Sequence, residues 1–223
     1  MELILAEQTL LIALDDAKGH DTTKWAGDAG LAAALLLDLA RLGLVEVDGD
    51  GKAVAIEGRA PDHEMLRDAH AAIAEAGKRR SAEGWVSRLP RELKPLRTRL
   101  ARGLVERGVL AEEHRKLLGL VPTTRFPEAD PGPERELRAR LREVLVAGRE
   151  PTEPEALLVG LLEPLELIAN VVERDERHAA RKRAKEVAEQ GIAGSAVRDA
   201  VAAVQAAVMT SVVAASVTAT ASN

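Results

Sequence analysis

The sequence predicts a mostly α protein: a single-domain helical bundle spanning residues 1–223, with two small peripheral β-hairpins. Three observations predict it. The apolar residues are mainly Leu, Ala and Val, with one Phe, two Trp and no Tyr, which suits interdigitating helices better than aromatic-bearing strands. Apolar positions recur at helical spacing over most of the chain, while β-type runs are few and short. At 223 residues, 46% hydrophobic and 30% charged, the chain is long enough to bury a full core.

Leu3, Leu5, Leu10, Leu11, Ile12 and Leu14 predict an opening apolar helix through Leu14, with a turn over residues 15–19. Asp21, Thr22 and Thr23 are helix-capping types that lead through Trp25 into a long apolar helix ending at Leu42, with Gly43 as its terminator. Residues 44–47, the turn Asp48-Gly49-Asp50-Gly51 and residues 52–57 read as a β-hairpin. Pro61 and Asp62 start a helix to about Ala76, with His63, Leu66, His70 and Ile73 along one side. Trp85, Val86 and Leu89 form a short element before Pro90, with Trp85 as a core residue.

After Pro95 comes a basic helix whose Leu96, Leu100, Leu104 and Val105 repeat on a buried face while Arg97 and Arg99 point elsewhere; Gly108 closes it. Residues 112–126 suggest a second hairpin or a long loop, and residues 127–133 a Pro-rich linker. Helices are expected at 134–147, 154–172, 173–190 and 197–218. Residues 200–220 carry no charge and are long enough, at ~20 residues, to span a bilayer. Their Ala, Val, Ser and Thr content, with Gln205 inside and no aromatic flanks, predicts a core helix instead.

Net charge is −5, unevenly spread: −9 over residues 1–77, +7 over 78–116 and −3 over 117–223. The middle of the chain is a basic island that can hold an anionic surface locally. For any single Arg in it, an ion pair with a neighbouring carboxylate explains the residue without a ligand. The absence of cysteine excludes disulfides and thiolate chemistry. The start of the chain lacks the positive, then long apolar, pattern of a signal peptide, so a cytoplasmic protein is expected.

Catalysis finds little support, and no enzyme, cofactor or metal is expected. Five histidines are scattered; His63 and His70 could share a helix face, without a third ligand at metal-site spacing. The Asp48 run has the start of a calcium loop, but the twelfth position is Arg59 where such loops place Glu, and a hairpin turn explains it better. No phosphate-binding glycine loop or nucleophile elbow is present. Helix followed by hairpin occurs twice, at residues 30–47 and 93–110, which admits a winged-helix nucleic-acid binder. Acidic pI near 5.7 and a first copy with no basic residue between Trp25 and Arg41 make nucleic acid a weaker expectation.

Residues 25–47, the basic segment 94–110 and the Ala/Val-rich 200–215 together resemble the Golgi phosphoprotein 3 family, whose eukaryotic members are peripheral membrane proteins. The resemblance runs through almost the whole chain, and the Ala/Leu/Arg bias fits a bacterial member. It implies that Trp25, Lys94 and Arg97 hold an anionic lipid headgroup, in the family phosphatidylinositol 4-phosphate. A guanidinium and an ammonium can contact one phosphomonoester together, and an indole suits the headgroup zone. Trp25 has a second possible role, stapling the start of its helix. One departure stands out: the family places a further Arg two residues after the Gly that matches Gly30, and here that residue is Ala32.

The resemblance also implies that the second hairpin has an apolar tip for membrane insertion and self-association, supplied by Leu118, Leu120, Val121 and Phe126; structural capping of the basic helix explains the same residues. The family's long basic N-terminal tail is not expected, because the helical pattern starts at Leu3. The expected function is thus a non-enzymatic peripheral protein on the cytoplasmic face of a membrane, binding anionic phospholipid and able to form homo-oligomers. A winged-helix regulator and a cytosolic scaffold without lipid binding are the alternatives.

Overall fold

The computed structural model describes residues 2–14, 27–48, 50–117 and 121–190, together with Val204, Ala206 and Val208. Among these residues the helices are α1 (Leu5–Ala13), α2 (Gly27–Arg41), α3 (Glu64–Ala74), α4 (Ala82–Glu92), α5 (Leu96–Glu106), α6 (Gly132–Leu145), α7 (Glu153–Leu162) and α8 (Arg177–Gln190). The strands are β1 (Val45–Val47), β2 (Lys52–Ala55), β3 (Arg80–Ser81), β4 (Glu113–Leu117) and β5 (Val121–Arg125). The protein is mostly α with two small antiparallel sheets, as the composition predicts.

Three helices form the interior because their sequences leave no polar face to turn outward. In α2 every residue from Gly30 to Ala40 is buried; in α7 every residue from Ala156 to Leu162; in α1 all but Gln8. α2 lies centrally, packed against α1, α3, α4, α5 and α7. The close approach at its start requires Gly30, where a Cβ would sit 2.8 Å from a Leu165 methyl. The outer helices are amphipathic, burying one stripe whose residues recur three and four apart: Leu96, Leu100, Ala101 and Leu104 in α5, and Leu137, Leu141, Val144 and Leu145 in α6.

The two similar sequence segments fold alike. α2 ends when Gly43 adopts φ 68°. Its N–H then donates to the Ala40 carbonyl at 3.0 Å, and that of Leu44 to Leu39 at 2.8 Å. α5 ends the same way at Gly108, φ 74°, with Gly108 N–H on the Val105 carbonyl and Val109 N–H on that of Leu104, both 2.9 Å. This is the double hydrogen-bonded C-cap that only a left-handed residue closes. Each cap releases the chain toward a hairpin: β1 pairs with β2, Val45 opposite Ala55, and β4 with β5, Glu113 opposite Arg125. In the first turn the Asp48 carboxylate accepts from Asp50 N–H at 3.0 Å and Lys52 N–H at 2.9 Å, which holds its pKa below the ordinary value, Lys52 N–H contributing most. That carboxylate shapes the turn, as the hairpin reading requires.

Three elements differ from expectation. α4 runs through Pro90 to Glu92: the proline forfeits one N–H bond to the carbonyl four residues back, and Trp85, Val86, Leu89 and Leu93, all buried, hold the helix on the core in spite of it. The helix expected over 154–172 stops at Leu162, because Pro164 has no N–H to donate back along the axis and Glu166 takes φ 60°. A 3-10 turn, Leu167–Asn170, follows. β3, in a Lys-Arg-Arg-Ser stretch without apolar alternation, adds to β2, with Arg80 opposite Ala53. Of the uncharged segment 200–220 the described residues are Val204, Ala206 and Val208, all helical, with Val204 and Val208 buried and Ala206 exposed, the one-sided burial expected of a helix on the core. No described helix is long and apolar enough to cross a membrane.

Candidate anionic headgroup site

The start of α5 carries the two implied phosphate contacts. Lys94 is exposed beside Pro95, the N-cap of α5, and Arg97 sits in the first turn, half-buried. Arg97 Nε lies 3.6 Å from Oδ1 of Asp28, in the first turn of α2. That pair ties the N-terminal ends of α2 and α5 to one another. Asp28 follows Trp25 by three residues; Trp25 itself lies outside the described residues. Two helix N-termini with a Lys and an Arg make a locally positive surface.

The other arginines of the basic helix are engaged. Arg99 Nη2 donates to Glu64 at 2.6 Å and to Asp68 at 2.5 Å, and Asp68 above all raises its pKa. Arg102 forks onto Glu112, with Nη2 to Oε1 at 2.9 Å; the pair raises the Arg102 pKa and lowers that of Glu112. Arg107 reaches the Glu7 carboxylate. The ion-pair explanation therefore holds for these three, whose charges are answered by carboxylates of α1, α3 and the start of the second hairpin.

Ala32 does not line this surface. It has no exposed area and belongs to the core, so an Arg there would place a guanidinium among Leu and Ala side chains. The family pattern cannot be restored at that position by substitution. Leu118 and Leu120 lie outside the described residues, and of Val121 the backbone register is described, opposite Leu117. Phe126 follows β5 at the base of the hairpin and is buried in the core, where it anchors the hairpin and is not part of a tip. Trp85 is likewise core, 1% exposed, with the Arg80 guanidinium 5.4 Å from its ring centroid.

Sequence reasoning missed two buried carboxylates that organise α1. Glu7, fully buried, accepts from Ile4 N–H at 3.2 Å, binds Arg107, and lies 3.0 Å from His63 Nε2. His63 caps α3 by accepting Met65 N–H at Nδ1, 3.2 Å, so in the neutral ring the proton sits on Nε2 and is donated to Glu7. Asp38, also fully buried, accepts Leu5 N–H at 2.7 Å and Arg41 Nη2 at 3.2 Å. Burial raises its pKa to about 6 against the opposing pull of Arg41. The available signal was a charge inside an unbroken apolar run, as in Leu37-Asp38-Leu39. His70 Nε2, 3.1 Å from the Ile56 carbonyl, fastens α3 to the first hairpin.

A family model described as Golgi phosphoprotein 3 (GPP34) matches residues 5–204. The chain belongs to the Golgi phosphoprotein 3 family. No curated protein gives a significant match. The match covers nearly all of the fold, from the first residue of α1 to Val204. Within this Golgi phosphoprotein 3 domain, Lys94 and Arg97 lie at one end of α5, and Ala32 lies in the core.

Proposed function

We propose that this Golgi phosphoprotein 3 family member is a non-enzymatic peripheral membrane protein that binds anionic lipid headgroups at the meeting of α2 and α5, with Trp25, Lys94 and Arg97 as contacts. The observation that supports the proposal is the Arg97–Asp28 pair, which joins the N-terminal ends of α2 and α5, the two helices next to which the resemblance puts its headgroup contacts. An exposed or half-exposed ion pair is worth only ~0–1 kcal/mol, so a phosphate can compete with Asp28 for Arg97 at small cost. Phosphatidylinositol 4-phosphate is the headgroup the family resemblance suggests. Core placement of Ala32 removes one family contact, and supports weaker discrimination among anionic headgroups than in members that carry the extra Arg.

The engagement of Arg99, Arg102 and Arg107 by carboxylates favours a scaffold without lipid binding as the second reading, and argues against a nucleic-acid interface on α5, whose cations would have to leave their partners to reach phosphates. Flotation with vesicles of phosphatidylcholine alone, or containing phosphatidylserine, cardiolipin or phosphatidylinositol 4-phosphate, separates the readings alongside a duplex-DNA mobility shift. We expect flotation with all three anionic compositions and no DNA shift. Failure to float with any composition would leave the scaffold.

A further inference from the structure

A cavity of about 350 Å³ opens beside residues 2–4, between the C-terminal end of α2 and the segment leading into α3. Its wall is largely apolar, with Leu3, Ile4, Leu42, Leu44 and Leu66. Leu42 is one of two large hydrophobic side chains left exposed among the described residues. Two guanidiniums join this wall, those of Arg41 and Arg59. Arg41 donates through Nη2 to Asp38, but its Nε–H is buried without an acceptor among the described residues. The Arg41 side chain keeps 20% of its area exposed, so an acceptor arriving from the cavity can meet guanidinium donors that Asp38 leaves open. Arg59 is exposed at the same cavity.

An apolar pocket of a few hundred Å³ with a small number of placed polar groups has the form of a small-molecule site. The guanidinium fork fits an oxyanion, which can take two parallel N–H donors. Glu2 and Asp62 also line the opening, and their carboxylates repel a second negative charge, which favours a monoanion over a phosphate ester or polyphosphate. We propose that this groove binds a medium-chain acyl carboxylate, its head on Arg41 and Arg59 and its alkyl chain over Leu42 and the Leu3–Ile4 segment. This site shares no residue with the Lys94 and Arg97 surface and is independent of the headgroup proposal.

Calorimetric titration of the full chain with octanoate, octanol and acetate tests it. Octanoate is expected to bind saturably at one site. Octanol, lacking the charge, and acetate, lacking the chain, should each bind at least tenfold more weakly. Arg59→Glu and Leu42→Asp change exposed side chains and should keep the melting temperature while weakening octanoate at least tenfold. Lys94→Ala/Arg97→Ala should bind octanoate as wild type does. Absence of saturable octanoate binding, equal binding of octanol, or undiminished affinity in a folded Arg59→Glu variant would each overturn the assignment.

Discussion

Asp38 shows how one residue couples burial to pH. Its folded pKa, raised to about 6 by burial, exceeds the ordinary value of 3.8, so the folded state holds its proton more tightly than the unfolded chain. The stability this contributes is fully present below the ordinary carboxylate value and is lost as pH rises through about 6. Glu155 and Glu176 act oppositely: their pKa values are lowered, through Arg149 for Glu155 and chiefly Arg142 for Glu176, and they lose stability as pH falls through the folded values. Asp38→Asn keeps an acceptor for Leu5 N–H and cannot titrate. Melting temperatures of the two proteins, compared from pH 4 to 7, should move in favour of the Asn variant as pH rises, by the order of 2–3 kcal/mol over that span. A difference independent of pH would show that Asp38 titrates normally. The burial of Asp38 had a signal in its apolar run, but the partners were not legible in the sequence, because Asp38 meets Leu5 across 33 residues, Glu7 meets Arg107 across 100, and periodicity marks a buried charge without naming its partner.

At the scale of elements, helix positions were legible wherever one rule sufficed. Leu and Ala spacing located α1, α2, α5 and α6, and Gly43 and Gly108 marked the stops of α2 and α5 because only a residue comfortable at positive φ closes that cap. Gly43→Ala and Gly108→Ala should each destabilise by about 1 kcal/mol, since neither site has steric crowding and the left-handed backbone is the whole penalty. Urea denaturation measures this, and an unchanged midpoint would contradict the capping account. Legibility failed where tertiary packing decided. α4 continues through Pro90 because its buried face outweighs the lost N–H, whereas α7 stops before Pro164 where the chain turns into Leu165 against Gly30. β3 exists through its pairing with β2, and two residues hold no pattern to read. The candidate site was half legible: spacing placed Lys94 and Arg97 at one helix start, while the core position of Ala32 and the base position of Phe126 required the packed structure.

For the whole molecule, a central apolar layer of α1, α2 and α7 carries the stability, and the charged outer helices are free to specialise. Truncating an interior leucine such as Leu35→Ala should cost about 2–5 kcal/mol, a denaturant shift far larger than any produced at the α5 start. This separation allows the membrane proposal to be tested without disturbing the fold. Lys94 and Arg97 lie at the surface, where a cation contributes little to folding yet about 1 kcal/mol to attraction by an anionic bilayer. The direct measurement is vesicle flotation of wild type and Lys94→Ala/Arg97→Ala against bilayers containing phosphatidylinositol 4-phosphate or phosphatidylserine, with melting temperatures taken on the same samples. The account predicts that the double variant melts within a degree or two of wild type and binds roughly tenfold or more weakly. Equal flotation of the two folded proteins would contradict it.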